Sequence, residues 1–145
     1  MPTPSRTSTP EIVAAGRQIL EAEGFEGLTM QRVAAAVGVR APSWFVTGAP
    51  GLWIQAADNV LVHVERGHVV DRLTFGRTLA QGALAPDGTL WIPDKEQSLV
   101  YRVDPKTARV LGSFAAGPGA FLAVRAYGSM WVASYAGKDV WRFRP

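Results

Sequence analysis

Pro86-Asp87-Gly88-Thr89-Leu90-Trp91-Ile92 is the stretch on which the fold turns, because its last four residues recur. Gly51-Leu52-Trp53-Ile54 precedes it and Ser129-Met130-Trp131-Val132 follows it, with the tryptophans 38 and 40 residues apart. Repetition at such a period marks architectures stacked from one supersecondary unit. After each tryptophan comes a second segment, Val60 to Val64, Val100 to Val103 and Val140 to Phe143. A third follows in the first two units, His68 to Phe75 and Arg109 to Phe114. Leading segments precede each tryptophan at Ser43–Val46, Gly82–Ala85 and Phe121–Val124. The alternation in Leu61–Glu65 (LVHVE) and Leu99–Asp104 (LVYRVD) is that of half-buried antiparallel strands. Pro50-Gly51, Pro86-Asp87-Gly88 and Gly117-Pro118-Gly119 punctuate them as turns. Both spacings are even, so strand parity predicts that the three rings point to corresponding faces. Trp91, with a sheet on either side, is expected to be the most buried, and Trp53 and Trp131 less protected.

Four strands in about 40 residues is the composition of a propeller blade. The units run over about 43–80, 81–118 and 119–145, and the third has no outer strand after Phe143. Closed propellers use about 4–8 blades, so about two and a half leave open faces. Such faces would expose Trp53, Trp91, Trp131 or their neighbours, which marks an interface or an aggregation liability.

Before residue 43 the period is helical. Thr9 suits an N-cap, Pro10 the first helical position and Glu11 the positive first turn. Ile12, Gly16, Ile19 and Leu20 share a stripe, and Gly24 is a helix stop. A second helix from Thr29 carries Met30, Val33, Ala34 and Val37 on one face, and Gly38 breaks it. Helices are expected over 10–23 and 29–37. The expected fold class is therefore α+β in two parts: a disordered tail over 1–9, a helix-turn-helix head over 10–45 and a partial β-propeller over 46–145. Ser43-Trp44-Phe45-Val46 is claimed by both parts. Its high β-propensity and the Gly48-Ala49-Pro50-Gly51 break favour strand from Trp44 on, with Arg40–Ser43 a helical turn.

The pattern Gly24-Phe25-x-x-Leu28-Thr29-Met30-x-x-Val33-Ala34-x-x-Val37-Gly38-Val39-x-Ala41-Pro42-Ser43 resembles the TetR family of transcriptional repressors over roughly residues 10–45. The resemblance implies a DNA-binding regulator whose DNA face is Thr29, Arg40, Ala41, Pro42, Ser43 and Phe45. Phe45 stands where that family usually has tyrosine, and the long dimerising helical domain does not follow. Binding would be weak and salt-dependent. The phrases Pro86-Asp87-Gly88-Thr89-Leu90-Trp91-Ile92 and Tyr101-Arg102-Val103-Asp104-Pro105-Lys106-Thr107 resemble the propeller repeats of the virginiamycin B lyase and NHL-type groups. They mark a fold and not an activity.

Composition narrows the field. The 145 residues are 48% apolar and 19% charged, so a packed core is expected. Cysteine is absent, which excludes disulfides and thiolate metal sites. No apolar run nears the roughly 18 residues that cross a bilayer, and the N-terminus has no secretion signal, so a cytoplasmic protein without membrane contact is expected. The net charge of +3 lies wholly in residues 47–145, whereas residues 1–46 sum to zero. A nucleic-acid reader usually concentrates positive charge on its contact face, and this distribution does not.

The histidines, His63 and His68, lack the His–Glu constellation a lyase would need, and His63, between Val62 and Val64, is expected to face outward. Glu65, Asp71, Asp94 and Glu96 read as solvated strand ends and turns. No enzyme, metal site or cofactor is expected. Three functions remain: a DNA-binding regulator, an interaction or scaffold module whose blades pair with another copy or another propeller chain, and an unselected junction of two gene fragments.

Overall fold

The computed structural model describes residues 44–48, 51–66 and 68–145, and these are all β. Strands β1 (Phe45–Thr47), β2 (Leu52–Ala57), β3 (Val60–Glu65) and β4 (His68–Thr74) form a first antiparallel sheet in chain order. A second holds β5 (Ala83–Leu84), β6 (Leu90–Asp94), β7 (Leu99–Asp104) and β8 (Arg109–Ala115). The third has three strands, β9 (Ala120–Ala126), β10 (Ser129–Ser134) and β11 (Asp139–Phe143). The expected α+β class is thereby corrected: no helix occurs among the described residues, because from Trp44 onward the period is two and Gly, Pro or a tight polar turn such as Asp58-Asn59 interrupts the runs. The helices expected over 10–23 and 29–37 lie outside the described residues. The contested stretch is strand: Phe45 pairs with Ile54 and Val46 with Trp53, and Gln55 N donates to the Trp44 carbonyl at 3.1 Å.

The sheets meet through their inner strands. β1 lies beside β5, and β9 beside both β5 and β6, while Ala123 N donates to the Gln81 carbonyl at 2.8 Å. Three such sheets are three blades. One apolar cluster joins blades 1 and 2, with Trp53, Leu61 and Val46 against Leu90, Ile92 and Val103. A second joins blades 2 and 3, with Trp91, Val100 and Ala85 against Met130, Val132 and Ala123.

The three tryptophans hold equivalent places. Each is the second or third residue of its blade's second strand and sits across from a nitrogen-bearing side chain: His63 for Trp53, Arg102 for Trp91 and Arg142 for Trp131. Their burial departs from the expectation. Trp53 is 0% exposed and Trp91 2%, while Trp131 is only half-buried. In a strand a side chain has one face to point to, and here that face is turned to the following blade. The following blade and a ring from the tryptophan's own blade, His63 for Trp53 and Phe114 for Trp91, together cover the indole. Blade 1 is covered by blade 2, and of the three only Trp131 is left part-exposed.

His63 is another correction. It is buried rather than outward-facing, because it shares Trp53's face, and its imidazole stacks on the indole with centroids 4.3 Å apart and planes 3° from parallel. Asp94 is a third. It is completely buried, not solvated, and accepts backbone N–H groups of Arg77 at 2.7 Å, Glu96 and Gln97 at 3.0 Å and Thr78 at 3.4 Å. Two of these donors belong to the linker between blades 1 and 2. Only glycine fits at 76 beside it, since a Cβ there would lie 2.5 Å from Asp94 Oδ2 in a φ of +66°. Blade 3 repeats the device with a neutral group: Ser134 Oγ donates to the Ala116 carbonyl.

The turn at Asp87-Gly88 is tied to the sheet. Thr89 Oγ1 donates to Asp87 Oδ1 at 2.6 Å and accepts from Trp91 Nε1 at 3.1 Å, and Arg102 Nη2 reaches Asp87 Oδ2 at 2.5 Å. Burial opposes ionisation of Asp87, but the bonds from Thr89 and Arg102 outweigh it and hold the carboxyl below its ordinary 3.8. The Lys106 N–H and the Thr107 hydroxyl do the same for Asp104. A carboxyl more acidic in the folded state stabilises the fold above its unfolded pKa, and that stability is lost as pH falls through the folded value. Urea midpoints are therefore expected to fall as pH drops below the ordinary carboxylate value. Asp87→Asn should shallow that acid limb, and an unchanged limb would remove Asp87 from it.

Candidate interaction face

The open side of blade 3 is built from strand parity. Val124, Trp131 and Val140 share one face, through the pairs Trp131 with Val124 and Ala133 with Val140. Counterparts in blade 1 are Val46, Trp53 and Leu61, and in blade 2 Ala83, Trp91 and Val100. Leu61 and Val100 are both 0% exposed, and Val140 is 62%. Val46 is 6% exposed and Val124 45%. The positions that cement one blade to the next are thus aliphatic and aromatic in blade 3 too, yet Val124 and Val140 stand exposed and Trp131 half-exposed. Isolated surface apolar residues need no explanation, whereas a contiguous apolar face does. The opposite side of blade 1 is not its mirror, for Ile54 and Val62 there are buried.

Charge distinguishes this face further. Arg142 lies over the Trp131 ring with its guanidinium carbon 5.3 Å from the centroid, and its Nε donates to Ser129 Oγ at 3.0 Å. Arg102 makes the matching bond to Thr89 Oγ1 at 3.3 Å and also holds Asp87. At the position of Asp87, blade 3 has Tyr127, which is exposed. Among the described residues Arg142 therefore has no carboxylate partner. In blade 1 the equivalent cross-strand side chain, His63, lies near two: Glu65 Oε1 at 3.4 Å and Asp71 Oδ2 at 3.8 Å.

Of the residues assigned to a DNA face, Thr29, Arg40, Ala41, Pro42 and Ser43 lie outside the described residues. Phe45 is in β1, paired with Ile54 and exposed. No group of three or more His, Asp or Glu side chains that could hold a metal occurs among the described residues. Nor is any helix there long and apolar enough to cross a membrane. Sequence reading reached Trp131 but passed over Arg142 and Val140. Their only signal was position: each repeats a residue whose counterpart is buried or paired.

No protein-family profile matches the chain, and no curated protein matches it. Solved structures do, and they are propeller-type proteins. Catalytically inactive virginiamycin B lyase from Staphylococcus aureus, with quinupristin, is 12% identical with a TM-score of 0.58, over 71% of this chain and 41% of that one. BamB from Moraxella catarrhalis is 13% identical with a TM-score of 0.59, over 70% and 31%. BBS1N in complex with ARL6DN is 12% identical with a TM-score of 0.59, over 72% and 37%. At such identities the likeness is one of fold. The described part is a β-propeller-type array of blades, and the chain spans well under half the length of these structures.

Proposed function

We propose that the chain is a protein-interaction or scaffold module of propeller-type blades, in which the Val124, Trp131 and Val140 face of blade 3 is packed by a further sheet, of this protein or of a partner. The observation that carries this is the Val124–Trp131–Val140 set, with Val124 and Val140 exposed and Trp131 half-buried, whose counterparts in blades 1 and 2 are buried or, for Ala83, partly buried. A partner meeting that face with aliphatic side chains, as Met130 and Val132 meet Trp91 within this chain, would bury it in the same way. Among the structural neighbours, BBS1N is one that holds a protein partner. The TetR resemblance has no support from the comparisons, and nothing among the described residues favours DNA binding.

Site-specific photo-crosslinking tests the reading. A benzophenone amino acid at position 140 or 124 of the full chain should give one discrete adduct in cells. The same group at Val70, which is exposed on β4, should not. Adducts of equal yield from all three positions, or a smear from 140, would contradict it.

A further inference from the structure

We infer that the hollow between the β6–β7 and β10–β11 turns is a binding site for an aromatic side chain of a partner peptide, flanked in that peptide by a carboxylate. The site uses none of the Val124, Trp131 and Val140 face and does not rest on the reading of it. The hollow measures about 250 Å³ and is lined by Lys95, Gly119, Phe121 and Tyr135. Lys95 opens the β6–β7 turn of blade 2, Gly119 ends the linker into blade 3, and Tyr135 opens the β10–β11 turn. Blades 2 and 3 and the linker between them therefore build it.

Comparison between the blades separates these aromatics from what the fold requires. Lys95 N donates to the Thr78 carbonyl at 2.9 Å, and Tyr135 N makes the matching bond to the Gly119 carbonyl at 3.0 Å. Tyr135 thus holds the place of Lys95, which is exposed although blade 3 follows its own blade. A following blade leaves this position open, and Tyr135 is 80% exposed. Leu79 lies opposite Asp94 and Ala120 opposite Ser134, so Leu79-Ala80 matches Ala120-Phe121. Leu79, Ala80 and Ala120 are all buried. Phe121 is the residue that the register shift between Ala133 and Ser134 leaves unpaired, and it is 36% exposed. Bulges that re-aim a side chain are over-represented beside functional sites.

The lining selects the occupant. The Phe121 and Tyr135 rings meet edge to face, with centroids 6.2 Å apart and planes at 89°, and two rings so set offer a third both a face and an edge. Gly119, at a φ of +69°, adds no side chain. The hollow is smaller than the roughly 300–1,000 Å³ of pockets that enclose a whole drug-sized ligand, which suits one side chain of a peptide. Among the described residues the Lys95 ammonium has no hydrogen bond or ion pair. The charges around it are already matched: Glu96 Oε1 holds Arg77 Nη1 at 3.0 Å, backbone amides hold the Asp94 carboxylate, and Lys138 and Asp139 at the β10–β11 turn cancel. One ammonium at the rim of an apolar hollow favours a carboxylate beside the ring and opposes a cation.

The test uses the full chain, isotope-labelled for NMR, and the capped peptide acetyl-Gly-Asp-Phe-Asp-Gly-amide. The amides of Lys95, Gly119, Phe121 and Tyr135 should shift saturably as peptide is added. Alanine in place of the peptide's phenylalanine should weaken binding about tenfold or more. A Lys-Phe-Lys version should bind about two- to tenfold more weakly, the range of a surface charge pair lost and reversed. Lys95→Glu should invert that preference, and Tyr135→Ser should weaken both peptides about threefold or more. Both positions are exposed, so each variant should keep the parent spectrum away from the hollow. Shifts that do not saturate or that cluster elsewhere, equal affinity for the alanine peptide, or a charge preference that survives Lys95→Glu would overturn the proposal. Free phenylacetate binding as tightly as the peptide would overturn it too, in favour of a small aromatic acid.

Discussion

Trp53→Ala is expected to cost about 3–5 kcal/mol, the range for truncating a core tryptophan, and Trp91→Ala about the same. Trp131→Ala should cost about 1 kcal/mol, an ordinary single-substitution effect. The ranking follows from direction of pointing. Trp53 and Trp91 are buried between the following blade and a ring of their own blade, His63 or Phe114, and truncation leaves a cavity lined by these strands. Trp131 keeps solvent on one side, so removing it opens no enclosed void. Urea unfolding of the three variants measures this directly. A Trp91 cost far above that of Trp53 would mean that two flanking sheets, and not the one ahead, protect a ring. A Trp131 cost equal to the others would mean that its face is already covered.

Asp94→Ala is expected to cost about 3–5 kcal/mol, the range for deleting one partner of a buried charged interaction. Four backbone N–H groups point at that carboxylate, and each donor left buried and unsatisfied costs about 1–3 kcal/mol before the structure relaxes. Asp94→Asn keeps one acceptor oxygen. With that oxygen towards Glu96 and Gln97, only the Arg77 bond is lost, so about 1–2 kcal/mol is expected. Hydrogen exchange should locate the damage in residues 76–79, the linker between blades 1 and 2. If Asp94→Ala melts with the parent chain, the carboxylate is not the latch described.

The repeat was legible because it needs no tertiary information. Even spacing between tryptophans preserves strand parity, alternation marks the strands, and Asp-Gly and Asp-Pro mark turns whose conformations few other residues favour. Trp44, Phe45 and Val46 were legible as strand for the same reason. The expected helices and five of the six residues assigned to a DNA face lie outside the described residues. Within those residues the α+β expectation gave way to an all-β chain.

What the sequence by itself determined is that three units of one kind follow each other, with their large rings on one common face. Which neighbour that face meets is a relation between sheets, and parity is silent on it. Only the tertiary structure decided that each ring leans on the blade ahead, so that Trp53 is sealed and Trp131 is not. The same holds for Asp94 and His63. Each looks like a polar residue fit for solvent when read along its own strand. Asp94 is buried because a linker 16 and 17 residues earlier turns its amides inward, and His63 because an indole lies across from it on the neighbouring strand. A local pattern records which side of a strand a residue takes. Burial depends on what the rest of the chain brings to that side.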